Sequence, residues 1–152
     1  MANDQDFIRA RTLEWVASWR TSPDAPFDLD AVSHIYARDN TFSSFDFGRP
    51  HDGFQAWAPA AAYYRQFMTV PKVWRLDAND DLRVNIRGDI AWSTVSLIGS
   101  GEMPDGTPIE LPEARVTLIF EKWEGDWLIV HEHGSSALPI PDSETTKRFL
   151  AV

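Results

Sequence analysis

The 152-residue sequence predicts an α+β fold, a cone-shaped, curved, mostly antiparallel sheet wrapped around N-terminal helices. Three observations carry this. Helical patterns come first and strand patterns follow from Val73 onward. Residues 115–135 read as two alternating strands joined by a short turn at Glu124-Gly125-Asp126. A further hairpin signal, Asp105-Gly106, lies inside Met103–Pro108. No repeat, linker or low-complexity tract interrupts the chain, so residues 1–152 form one domain with a short tail from about residue 139.

The elements follow in order. Asn3 or Asp4 caps a first helix running to about Arg20, its apolar residues Phe7, Ile8, Leu13, Trp15, Val16 and Trp19 falling on no clean single stripe. The stretch Thr21–Pro26 breaks it. A short helix from about Asp28 to Ala37 carries Leu29, Val32, Ile35 and Tyr36 at helical spacing. Asp39-Asn40 turns the chain into a strand, Thr41 to Phe47, with Phe42, Ser44 and Asp46 on one face. After a loop containing His51, Asp52 caps a third helix, Phe54 to Met68, apolar nearly all round and therefore packed on more than one side. Strands are expected over Val73–Ala78, Leu82–Arg87 and Ile90–Gly101, then around Arg115 and His131, and the tail ends in a short helix, Glu144–Leu150. A long curved sheet around a helix leaves an open mouth, a natural ligand pocket.

Composition narrows the function. A net charge of −9 disfavours nucleic acid and anionic membrane partners, since no basic stripe is available. The absence of cysteine removes disulfides and thiolate chemistry and suits a cytoplasmic protein. The N-terminus is acidic without an apolar signal core, and no window is long and apolar enough to span a bilayer. Seven Trp and nine Phe are many for this size; aromatics at that density either fill a core, which accounts for most of them, or line a cavity for a flat apolar ligand.

The chain resembles the nuclear transport factor 2-like superfamily, specifically its SnoaL-like members and the similar kinase association domains. The residues that carry the resemblance are Tyr36-Ala37-x-Asp39 before the first strand, Gly53-x-x-Ala56 at the third helix, and Gly88-Asp89-x-Ala91 before the long strand. The closing motif is Arg115-x-Thr117, then Gly125-x-Trp127-x-Ile129-Val130-His131-x-His133-x-Ser135. The likeness runs over about residues 5 to 138 and implies the cone fold. It implies a range of activities: isomerases, dehydratases, cyclases, epoxide hydrolases, lyases, transport factors and oligomerisation domains. Against the similar ketosteroid isomerases, Ser44 falls where their base carboxylate stands, with Asp46 two residues on. Their oxyanion-hole Tyr corresponds to the region of Trp15 and Trp19.

Several constellations are candidates for chemistry. Alternation puts His131 and His133 on one face, where paired imidazoles can chelate. Ser135, Ser136, Ala137 and Leu138 follow instead of a further ligand, so no metal is expected, and at least one His is a sheet-packing or interface residue. Arg115 shares a face with Thr117 and Ile119; it either holds an anion inside the cone or pairs with an acid such as Glu113 or Glu132. Asp46 and His51 sit where a cone mouth would be, and Asp46 among phenylalanines suits a general base. Tyr64 offers a phenol, with Tyr63 its competitor. No nucleophile elbow, phosphate loop or dinucleotide fingerprint is present, so no cofactor is implied.

The expected function is a cofactor-independent lyase or isomerase acting on a small hydrophobic aromatic or polycyclic hydroxy or keto compound. Asp46, His51 or His133 would be the base, and Arg115 with Tyr64 the anion stabilisers. Trp15, Trp19, Tyr36, Phe42, Ser44, Trp57, Trp92 and His131 would bind substrate. The alternative is a non-catalytic ligand-binding or oligomerisation module. A homodimer is expected under either reading.

Overall fold

A computed structural model describes residues 3–45 and 53–136. Helix α1 spans Asp4–Ser18, and the Asn3 side chain accepts from the Asp6 backbone N–H at its start. Its buried face is Ile8, Thr12, Trp15 and Val16. Thr12 completes a helical stripe that hydrophobicity alone conceals, because its hydroxyl is bonded to Ile8 O and, at 2.8 Å, to Ser93 Oγ of the sheet. The expected second helix is shorter. Helix α2 covers Leu29–Val32, capped by the Asp28 carboxylate, and continues as a tight 3₁₀ turn, Ser33–Ile35.

Strand β1 is Ser43–Phe45, within the longer segment expected from sequence. Helix α3 is Trp57–Phe67 and starts three residues later than expected, because Phe54 pairs with Ser44 in an isolated antiparallel bridge. The strands that follow are β2 (Val73–Ala78), β3 (Arg83–Arg87), β4 (Ile90–Glu102), β5 (Pro108–Trp123) and β6 (Asp126–Ser136). The expected helix at Glu144–Leu150 and the cap at Asp52 lie outside the described residues.

The sheet order is β1-β6-β5-β4-β2, with β3 also paired to β4. Only β1, which runs parallel to β6, departs from the antiparallel pattern among these strands. The β5–β6 hairpin closes through Glu124 and Gly125, both at positive φ (50° and 91°), as a tight two-residue turn of the right hand requires. Helix α1 lies against β2, β3 and β4. The inner face of the sheet contributes Ala91, Val95 and Leu97 from β4 and Val116, Leu118 and Phe120 from β5, all buried. No helix among the described residues is long and apolar enough to cross a membrane.

One irregularity reorganises β6. Phe120 pairs with Ile129 but Ile119 pairs with His131, so Val130 is an extra, unpaired residue on β6. Side chains alternate with period two, so one inserted residue exchanges the faces of everything after it. Trp127 and Ile129 point inward before the bulge, and Glu132 points inward after it. His131 and His133 are thereby turned to the outer face. Deleting Val130 is expected to drive both imidazoles into the core and Glu132 out of it. The variant should lose its cooperative thermal transition, and an unchanged melting temperature by circular dichroism would show that the bulge is not what sets the faces.

Candidate functional site

Between α1, α3 and the inner face of the sheet lies a cavity of about 210 Å³. This is below the roughly 300–1,000 Å³ of drug-sized ligand sites, so it suits a compound of one or two rings. Helix α1 supplies Trp15 and, at its C-cap, Trp19; α3 supplies Tyr63 and Phe67, and β2 supplies Trp74 and Leu76. Leu111 and Val116 of β5 add aliphatic wall. Glu132 also reaches this cavity, and it is 3% exposed.

A buried carboxylate needs donors, and the surrounding aromatics provide them. The Trp15 indole N–H donates to Glu132 Oε2 at 2.8 Å, and the Tyr36 hydroxyl donates to the same oxygen at 3.2 Å. The Tyr64 hydroxyl donates to Oε1 and is also hydrogen-bonded to Ser44 Oγ at 2.9 Å. Ser44 stands beside Glu132 because β1 and β6 are paired in that register. Burial first, and then the charge of Glu132, push the Tyr64 phenol far above the usual tyrosine range, so it stays a donor.

Of the residues singled out from sequence, Trp15, Tyr36, Ser44 and Tyr64 therefore converge on one carboxylate, with Trp19 in the adjoining wall. Phe42 and Trp57 lie deeper. Their rings pack on Tyr36 with centroids 5.5 and 4.6 Å away and hold it in place rather than line the cavity. Asp46 and His51 lie outside the described residues.

Four candidates face the other way. Trp92 follows the outward register of β4, between the buried Ala91 and Ser93. Arg115 follows the outward register of β5, with its side chain 66% exposed, and pairs with Glu113 at 3.4 Å. This is the ion pair that sequence offered as the alternative to an anion site. His131 and His133 sit on the same outer face beside Phe45, whose ring centroid is 5.9 and 6.0 Å from theirs. His131 Nδ1 is 2.8 Å from Ser43 Oγ. Among the described residues no three His, Asp or Glu side chains cluster as metal ligands.

Glu132 was missed as a site residue because strict alternation places it opposite Trp127 and Ile129. The available signal was an acid flanked by two histidines inside an otherwise apolar strand, where one inserted residue changes which of them is buried.

The SnoaL-like domain family matches residues 25–141. No protein of curated function matches the sequence. Among solved structures, a nuclear transport factor 2-like superfamily protein from Salmonella enterica superposes with a TM-score of 0.73 at 16% identity, over 92% of this chain and 95% of that one. A candidate dehydratase of the same fold family from Streptomyces avermitilis gives 0.69 at 16% identity, over 90% and 100%. The association domain of the calcium/calmodulin-dependent kinase CaMKII from C. elegans gives 0.56 at 18%, over 88% and 95%. At these identities the likeness is one of fold.

Two predictions test the site's physics. Tyr64→Phe should cost about 1.5–3 kcal/mol in urea unfolding, the range for a hydrogen bond to a charged group; a loss near zero would mean that this phenol does not hold Glu132. Burial, and secondly His133, hold the His131 imidazole below its ordinary 6.5, with the Ser43 contact opposing them. The folded state thus binds this proton less readily than the unfolded chain. Stability linked to His131 is present above about pH 6.5 and is lost as pH falls toward the lower folded midpoint. An NMR titration of the ring should give a midpoint below 6.5, and one at or above it would contradict the assigned environment.

Proposed function

This chain belongs to the SnoaL-like domain family, and we propose that it is a cofactor-independent lyase or isomerase using Glu132 as its general base. The single observation that supports this is an acid 3% exposed at the wall of a cavity whose remaining lining, apart from the exposed Glu110, is aromatic, aliphatic or glycine. Desolvation strengthens a carboxylate as a base, and its three donors hold it in one orientation without supplying a competing proton acceptor.

The substrate is a small hydrophobic hydroxy or keto compound. In an elimination, Glu132 takes the proton from a carbon beside a carbonyl, the released electron pair forms the double bond, and the departing hydroxyl receives that proton and leaves as water. In an isomerisation, the same proton returns to a different carbon. In a retro-aldol cleavage, Glu132 takes the substrate hydroxyl proton, the oxygen becomes a carbonyl as the carbon–carbon bond breaks, and the enolate that receives the bonding pair takes that proton back from Glu132. All three are redox-neutral and start with one base. Tyr64 and Tyr36 do not line the cavity; they hold the Glu132 carboxylate in place from behind its wall. His133, on the outer face, gives way to Glu132 as the favoured base, while Asp46 and His51 lie outside the described residues, and Arg115, 66% exposed on the outer face, is not assigned to the chemistry. We further infer a homodimer, for which the exposed Ile90 and Ile98 on the outer face of β4 provide apolar contact area.

The test is mass spectrometry of a pool of hydroxylated aromatics and ketones incubated with wild type and with Glu132→Gln. Turnover should fall about 10²- to 10⁴-fold, the range for loss of a general base, with ligand affinity kept. Equal turnover by both proteins would remove Glu132 from the mechanism. Binding without turnover by either would favour a ligand-binding module.

A further inference from the structure

The wall of the cavity formed by β2 has an unusual foundation. Trp74 pairs with Gly101, and its neighbour Leu76 pairs with Gly99. Both glycines lie where β4 would otherwise send a side chain inward. A Cβ built on Gly99 would stand 2.5 Å from Trp74 Cη2 and 2.9 Å from Cζ2, and one on Gly101 would stand 3.1 Å from Cε3. The six-membered ring of the indole thus lies across both glycines, in space that any other residue would fill.

Nor can Trp74 retreat. Its backbone N–H donates to Thr21 O and its carbonyl accepts from Thr21 N–H, both at 2.9 Å, so the strand is tied on its outer edge. On the other flank, Leu111 Cβ would lie 3.0 Å from the same Gly99 substituent. A methyl group at Gly99 therefore has one way to be accommodated, which is rotation of the indole off the sheet and into the cavity that it lines. Gly101 is a poorer probe, because a Cβ there would strike the Val73 carbonyl and break the strand pairing.

We propose that Trp74, seated on Gly99 and Gly101, is the specificity-determining wall of this cavity and selects flat aromatic ligands by stacking on its free face. Pinned on one side by the sheet, the indole offers a rigid plane, which costs little conformational entropy to use. A planar ring makes offset-stacked contact with such a plane, whereas a puckered saturated ring of the same carbon count touches it at few atoms. The proposal names the ligand class for the cavity read above as the substrate site, and it rests on that reading.

Binding, not turnover, tests it. Calorimetry would compare 2-naphthol with decahydro-2-naphthol on wild type, Trp74→Leu, Gly99→Ala and the double variant, with melting temperatures recorded for each. Wild type should prefer the planar compound by roughly 3- to 10-fold, the worth of one aromatic pair. Trp74→Leu should abolish that preference. Gly99→Ala should weaken 2-naphthol by at least about tenfold, and the double variant should bind like Trp74→Leu alone, because the ring that clashes is gone. A planar preference that survives Trp74→Leu, or Gly99→Ala binding 2-naphthol like wild type, overturns the proposal. Equal binding of both compounds by wild type overturns it while leaving the cavity reading and Glu132 intact. Binding of neither overturns both. Should Gly99→Ala fail to fold, the Trp74→Leu comparison decides.

Discussion

The inserted residue Val130 is the constraint on which the rest of this structure depends. Without it, β6 would present Trp127, Ile129, His131 and His133 to the core in unbroken alternation, and Glu132 to the outside. With it, the strand keeps its large apolar residues inside for the first half and turns a carboxylate inward for the second. The two histidines, which are hard to bury together because each protonation repels the other, go to the outer face. A single unpaired residue thus separates a packed half of the sheet from a half that borders a cavity.

That carboxylate then gathers the surrounding elements. Trp15 comes from α1, Tyr36 from the end of the 3₁₀ turn, Tyr64 from α3, and Ser44 joins through Tyr64 from β1. Each contributor except Ser44 has an apolar body and one polar tip, so the same residues wall the core and satisfy the charge. Burial of an isolated carboxylate costs several kcal/mol, and each donor to it contributes about 1.5–3 kcal/mol. These magnitudes roughly cancel. Replacing Glu132 by a hydrophobic residue would take this acceptor from the buried Trp15, Tyr36 and Tyr64 donors, so the carboxylate and its donors form one unit.

The outer face of the sheet is a different surface. Arg115 with Glu113, His131 with Ser43, and Trp92 are spread along it, and polar and apolar residues mix there. The inner face is almost wholly apolar apart from Glu132 and the hydroxyls of Ser44 and Ser93, the latter hydrogen-bonded to Thr12 of α1. Two glycines of β4 extend that inner face by letting an indole take the place of side chains.

The sequence by itself determined the class of fold, the order of helices and strands, the Glu124-Gly125 turn and most of the aromatic shell, including Trp15, Trp19, Tyr36 and Tyr64. These follow from local rules: capping, period-3.6 and period-2 patterns, and residues suited to positive φ. It also placed His131 and His133 on a common face, but not on which side. Tertiary structure alone decided that Glu132 rather than a histidine enters the cavity, that Arg115 and Trp92 leave it, and that Ser44 meets Tyr64. The reason is that face and register are set between strands. Val130 is extra only relative to its pairing with Ile119 and Phe120, and no property of Val130 in the sequence distinguishes it from a paired neighbour.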